Sequence, residues 1–303
     1  MSLKLTKEGA YGYVSVLISK SPNLALLLEI IESDSPIDIQ TAISRGILGS
    51  EYSLFLQMKS IDDIDEAIYN FYKYYLENLI KYIPRPYDNF INCFIEVFDL
   101  DKVISMIFTL EKQKLRSRYI ISQIEPLIEY IVYSKKSIGN LPLYTVCLSA
   151  NKGQTVLDVV KCFTKIYIDR VANTLHSISE VELIENSLKI FYLFSSLRSY
   201  RYILSCRMLK STYNIEIKDF IKEMGMPTPI ALLAIEKINK IYEHIKKDPT
   251  FALIYELKSI YEQLKSLLYS PYSFIDRLTY LLIHKFYESM FIRYLAMNKY
   301  SWR

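Results

Sequence analysis

An all-α fold is predicted by three observations on this chain. Glycine occurs only seven times in 303 residues, so tight turns and hairpins lack the residue they most often need. Five of the ten prolines follow a residue able to cap a helix, at Ser21-Pro22, Ser35-Pro36, Thr228-Pro229, Asp248-Pro249 and Ser270-Pro271. Each pair opens a run whose apolar residues recur with helical period, the mark of a helix with a buried face.

Taken in order, the periodicity places helices at about 5–20, 22–33, 36–45, 50–59, 61–83, 87–111, 118–135, 154–174, 180–210, 214–223, 229–246, 249–269 and 271–300. The clearest loop runs from Gly139 to Gly153, with Leu141-Pro142-Leu143 and Asn151-Lys152-Gly153 in it. Tyr144-Thr145-Val146-Cys147-Leu148, inside that loop, is a candidate short strand.

Composition bounds the function classes. Hydrophobic residues make up 51% and charged residues 23%, which describes a folded chain with ample length for a core. The net charge of +4 comes from 37 basic and 33 acidic side chains that are interspersed, too balanced a distribution to indicate nucleic acid as a partner. Cys93, Cys147, Cys162 and Cys206 have no CxxC spacing and read as buried, reduced thiols, with a disulfide as the alternative. No signal peptide is expected, because Lys4, Lys7 and Glu8 precede only a short apolar run. No uncharged run reaches the roughly 18 residues of a membrane helix, so any membrane association is expected to be peripheral. The 27 tyrosines read as compositional bias rather than as an aromatic binding surface.

Few residues form a pattern that carries chemistry. Asp62, Asp63 and Glu66 in Ser60-Ile61-Asp62-Asp63-Ile64-Asp65-Glu66 have the DDxx(D/E) spacing with which all-α isoprenoid synthases hold Mg²⁺ on a diphosphate. The same residues suit a helix start, Ser60 as cap and the acids answering the macrodipole, and no second acidic motif follows in the C-terminal half. No glycine falls in GxGxxG or GxxxxGK[ST] spacing, and Ser149-Ala150-Asn151-Lys152-Gly153-Gln154-Thr155 lacks the first glycine and the Lys-Ser/Thr pair of a phosphate loop. His176, His244 and His284 each stand without a second histidine at metal-binding spacing. No metal, cofactor, small-molecule substrate or catalytic residue is therefore assigned. Arg198, Arg201, Arg207 and Lys210, interleaved with Tyr200 and Tyr202, make a basic stretch that reads as a solvated helix face answered by Glu180, Glu182 and Glu185. The alternative is a face for phosphates or an acidic partner.

The closing segment from Ser270 to Trp302 is the most informative. Ser270-Pro271 is a helix start, and Phe274, Leu278, Leu281, Leu282, Ile292 and Ala296 share one face. Phe291, Tyr294 and Leu295 make much of the other side apolar, so the helix is expected to be largely enclosed. Lys285, Glu288 and Arg293 must then be paired or reach an edge.

An internal repeat fits the same pattern. Phe98-Asp99-Leu100-Asp101-Lys102-Val103-Ile104 running to Lys112, Leu197-Arg198-Ser199-Tyr200-Arg201-Tyr202-Ile203 running to Lys210, and Glu288-Ser289-Met290-Phe291-Ile292 running to Lys299 share a shape. Aligning Ile104, Ile203 and Ile292 gives repeats of roughly 90–100 residues.

In Pro271, Tyr280-Leu281-Leu282, Glu288, Ile292-Arg293 and Lys299 the closing segment resembles the C-terminal helix of a central-stalk family, the C-type stalk component of archaeal A-type ATP synthases and its d-type counterpart in V-type rotary ATPases. Tyr72 to Pro84, followed by Asp99-Leu100-Asp101-Lys102-Val103-Ile104, resembles the end of the family's first repeat, and Tyr11-Gly12-Tyr13-Val14 its opening Tyr-Ala-Tyr-Val. The chain departs from the pattern where the glycine before each terminal lysine is missing, and where Lys102, Arg201 or Phe291 stands for an expected Asn. The resemblance covers nearly the whole chain in layout through short, degenerate motifs.

The resemblance implies three similar helical repeats around a pseudo-threefold axis in a funnel, here 1–117, 118–212 and 213–303. It implies a non-catalytic central-stalk component, peripheral on the cytoplasmic face of the cell membrane. Its partners would be the proteolipid rotor ring and the D and F proteins of the shaft, and its work the transmission of torque. The coupling ion, proton or sodium, stays open. Arg198, Arg201, Arg207, Glu288 and Arg293 are the candidate partner-binding residues. Two alternatives remain: an Mg²⁺-dependent isoprenoid or terpenoid synthase on Asp62, Asp63 and Glu66, and a helical-repeat scaffold for an acidic partner.

Overall fold

The computed structural model is mostly helical, at 83%, with no strand among the described residues, as the glycine and proline usage predicts. It describes residues 4–32, 37–58, 60–113, 147, 156–209, 219, 223–245, 252–270 and 272–298. The helices are α1 (Lys7–Lys20), α2 (Leu24–Glu32), α3 (Ile39–Ser44), α4 (Ile61–Ile80), α5 (Tyr87–Gln113), α6 (Val156–Ile178), α7 (Glu185–Leu209), α8 (Thr228–Ile245), α9 (Ala252–Ser266) and α10 (Phe274–Asn298). Ser50–Gln57 and Leu267–Tyr269 are 3-10 helices. The predicted helix at 118–135, most of that at 214–223, the Asp248-Pro249 start and the Gly139–Gly153 loop apart from Cys147 lie outside the described residues.

Thr228-Pro229 opens α8 as predicted, whereas α2, α3 and α10 begin at Leu24, Ile39 and Phe274, a few residues after their Ser-Pro pairs. Asn23, one residue after Pro22, starts α2: its Oδ1 accepts from the Ala25 N–H at 2.9 Å. Asp38 caps α3 by accepting from the Thr41 N–H at 2.8 Å. Ser273, not Ser270, caps α10, its Oγ accepting from the Asp276 N–H at 3.2 Å. A proline pushes the residue before it into extended backbone, so the turn begins at the next side chain able to cap. At the other end of α3, Gly46 takes φ +70°, a left-handed conformation that glycine adopts without a Cβ penalty.

The chain makes two compact units, one of Met1–Asn92, Ile178–Ile190 and His244–Arg303, the other of Cys93–Ser177 and Phe191–Glu243. In the first, α10 is the central element, packed by α1, α2, α3, α4 and α9. Its apolar side chains are fully enclosed along both faces, from Phe274, Ile275 and Leu278 through Ile283 and Phe286 to Phe291 and Ile292. The predicted enclosure of the closing helix therefore holds. Lys7–Glu32 is long and apolar enough by length and composition to cross a membrane, but Ser21, Pro22 and Asn23 divide it into α1 and α2, and both pack on α10.

In the second unit, Phe94 of α5 stacks on Phe194 of α7 with ring centroids 5.9 Å apart. Arg170 of α6 forks onto both carboxylate oxygens of Glu96, at 2.8 and 3.1 Å. Cys147 and Cys162 form a disulfide across 15 positions, which corrects the expectation of reduced thiols. CxxC spacing signals metal and redox sites, whereas a structural bridge needs only two Cβ atoms brought together by the fold. Cys93 is a free thiol, which burial pushes up in pKa.

Candidate functional site

Glu288 sits near the middle of α10 with no exposure to solvent. Four groups converge on its carboxylate. The hydroxyls of Tyr52 and Tyr72 donate to Oε1 at 2.5 and 2.8 Å, and Lys285 Nζ donates to both oxygens at 2.8 and 3.1 Å. His284 Nδ1 lies 3.4 Å from Oε2, and its Nε2 lies 3.0 Å from the Pro22 carbonyl oxygen. The helical spacing explains the clustering: 284, 285 and 288 are i, i+1 and i+4, so one turn presents all three to the same neighbourhood.

The electrostatics follow from that geometry. Burial by itself would raise the Glu288 pKa, but the Lys285 charge, the His284 contact and the hydrogen bonds outweigh it and hold the carboxyl down to about 2. Burial first and the Glu288 charge second push the Tyr52 and Tyr72 hydroxyls well above their ordinary range. Both stay protonated and donate to the carboxylate. Lys285 completes the cluster by resting over the Tyr75 ring, 4.9 Å from its centroid. Each partner left alone would be a buried, unsatisfied group.

The candidate residues fall into three groups. Glu288 and Arg198 are enclosed, with 0% and 1% of their surface exposed, so neither side chain reaches an outside molecule from the described fold. Arg198 pairs with Asp101 at 3.0 Å and donates to the Tyr202 hydroxyl at 2.7 Å. It also lies over the rings of Tyr167, Tyr202 and Phe194. This corrects the reading of a solvated face answered by Glu180, Glu182 and Glu185, because α7 is buried around most of its girth. Arg201 and Arg293 reach the surface. Arg201 keeps 22% of its side chain exposed beside Asp101 at 3.8 Å, and Arg293 keeps 43% and forks onto Asp65 at 2.6 and 2.9 Å. Arg207 lies in α7, and its side chain falls outside the described residues.

The acidic stretch at the start of α4 is organised as a cap. Ser60 Oγ accepts from the Asp63 N–H at 3.1 Å while Asp63 Oδ2 accepts from the Ser60 N–H at 3.1 Å, a reciprocal capping box. Asp63 and Glu66 are exposed on the helix, and the Asp62 side chain lies outside the described residues. Among the described residues no three His, Cys, Asp or Glu side chains come together as metal ligands.

Sequence reasoning flags Lys285, Glu288 and Arg293 as needing partners and does not find the distant ones. Tyr52 and Tyr72 lie 236 and 216 positions from Glu288, and Asp65 lies 228 from Arg293, so none carries a local signal. His284 stands alone as a metal ligand, but its i+4 spacing to Glu288 is legible. Compared with family models, curated proteins and solved structures, the chain matches none.

Proposed function

We propose that this chain is a non-catalytic central-stalk component of a rotary A-type ATP synthase. In this reading it links the D and F shaft to the proteolipid ring on the cytoplasmic face of the membrane and transmits torque. It uses no cofactor and no small-molecule substrate. The reading rests on the resemblance of the closing helix and the repeat layout to the C-type stalk family.

One observation carries the repeat. The three isoleucines aligned from sequence lie within one residue of the same depth in three long helices. Ile104 is the 18th residue of α5 counted from Tyr87, Ile203 the 19th of α7 from Glu185, and Ile292 the 19th of α10 from Phe274. Each is buried, at 1%, 0% and 0% exposure. Helices of 27, 25 and 25 residues, each with a buried isoleucine at its 18th or 19th position, support the reading of three copies of one unit.

Within this reading the enclosed residues have a mechanical role. A torque-bearing body must not deform, and the Glu288 cluster joins α10 to the 3-10 helix Ser50–Gln57 and to α4 through groups that cannot be separated without stranding a charge. Arg201, Arg207 and Arg293 remain the proposed contact residues. Membrane sedimentation tests the reading: the chain should pellet with membranes and be released by chaotrope or low salt. A chain that stays in the supernatant from the start contradicts it.

A further inference from the structure

We propose that an open groove beside the N-terminus of α10 is a docking surface for a protein segment carrying a basic residue next to an apolar one. The inference stands apart from the stalk reading, since it rests on the surface of the first unit alone. The groove has a volume of about 400 Å³ and is lined by Lys7, Glu182, Leu183, Glu185, Tyr272 and Asp276, among others.

Its walls are apolar and fully in solvent. Leu183 is 84% exposed and Tyr272 88%, two of the most exposed large hydrophobic side chains among the described residues. They come from different parts of the sequence and line the same groove, so they form one feature and not two scattered surface residues. Val181 and Tyr269, at 58% and 71%, are exposed close to them in sequence. Tyr272 holds φ at +67°, a left-handed backbone that a bulky side chain adopts rarely and at a cost.

The floor is acidic. Glu182 is committed to the fold: Oε1 accepts from the Phe274 and Ile275 N–H groups at 2.5 and 3.4 Å, and Oε2 takes the Tyr87 hydroxyl at 2.7 Å and Lys7 at 3.2 Å. Asp276, 2% exposed, takes the Ser187 hydroxyl at 2.6 Å. Glu185 projects from the first turn of α7 and is exposed. Three carboxylates therefore face a single lysine, in a chain whose net charge is +4. This local inversion of sign attracts cations and repels phosphate-bearing partners such as nucleic acid or anionic lipid. An apolar side chain against Leu183 and Tyr272, with a lysine or arginine reaching Glu185, satisfies both features at once.

The test uses the full chain and two fluorescein-labelled amphipathic peptides, one of leucine and lysine and the other with glutamate in place of lysine. Binding is read by fluorescence anisotropy. The basic peptide should bind at least about tenfold tighter than the acidic one, and Leu183→Ser should weaken it by about fivefold or more. Glu185→Lys should remove or reverse the preference for the basic peptide. Both positions are exposed, so thermal melts should match the parent chain. Equal binding of the two peptides, or binding untouched by both substitutions, overturns the proposal. Self-association in sedimentation velocity that Leu183→Ser abolishes also overturns it, in favour of a second copy of this chain.

Discussion

The hydroxyl of Tyr52 donates a 2.5 Å hydrogen bond to Glu288, across 236 positions of sequence. It ties the end of the chain to its beginning through a carboxylate that no solvent reaches. Substitution, acid and the neighbouring turn of α10 each probe whether that contact holds the fold.

Glu288→Gln keeps a hydrogen-bond acceptor and removes the charge that answers Lys285. It should destabilise the chain by about 3–5 kcal/mol, because a buried ammonium is left uncompensated. Tyr72→Phe should cost about 1.5–3 kcal/mol, the range for a hydrogen bond to a charged group. Urea unfolding measures both. In the double variant the two losses should fall short of their sum, since both act on one carboxylate.

Acid should find the same group. Glu288 titrates ordinarily at 4.5 and is held to about 2 in the fold. Between those values the unfolded chain carries the proton and the folded chain does not, so stability falls as pH falls. The contribution is complete above about 4.5, gone below about 2, and on the order of 3 kcal/mol. The gap between the parent chain and Glu288→Gln in urea midpoint should therefore close as pH drops through this window. A gap that stays constant would show that the carboxylate is not held ionised by its neighbours.

Ile292 and Arg293 should separate core from surface on one helix. Ile292→Asp places an unpaired carboxylate at a site with no exposure, a change of several kcal/mol that a domain of ordinary stability does not survive. Arg293→Ala removes a half-exposed pair with Asp65 and should cost only about 0.2–1 kcal/mol. Thermal melts of the two variants decide it, and equal melting temperatures would refute the burial assignment.

Much of this fold is legible in the sequence, and what is not has a physical reason. Helices and their enclosure follow from local periodicity, so α10 and its apolar faces can be read directly. Helix starts depend on which side chain turns back to the backbone, and Asp38 and Ser273 take that role two residues after the Ser-Pro pairs. Long-range pairing leaves no local trace: nothing near Arg198 points to Asp101, and nothing near Glu288 points to Tyr52. The basic stretch at 198–207 misleads because arginine is usually solvated, whereas Arg198 is stacked among aromatic rings and paired in the core.

The start of α4 distinguishes a cap from a metal site. Asp63→Asn weakens one half of the capping box with Ser60 and should cost at most about 1 kcal/mol. Isothermal titration with Mg²⁺ should give no saturable heat. Saturable binding that Asp63→Asn abolishes would favour the diphosphate enzyme over the stalk component.

The cysteine bridge should be visible in the parent chain itself. Closing a loop of 15 residues is worth about 3 kcal/mol when the constraint acts mainly on the unfolded chain. Reductant should lower the unfolding midpoint of the parent chain and leave a Cys147→Ser, Cys162→Ser double variant unmoved.

The central claim is tested most directly by native mass spectrometry of an A-type ATP synthase purified from its own membranes through a tag on this chain. The account expects the catalytic proteins, the D and F shaft and the proteolipid ring to appear with the tagged chain. On mild dissociation it expects a subcomplex of this chain with D and F. A tag that recovers no component of the synthase, or an intact synthase that lacks this chain, would contradict it.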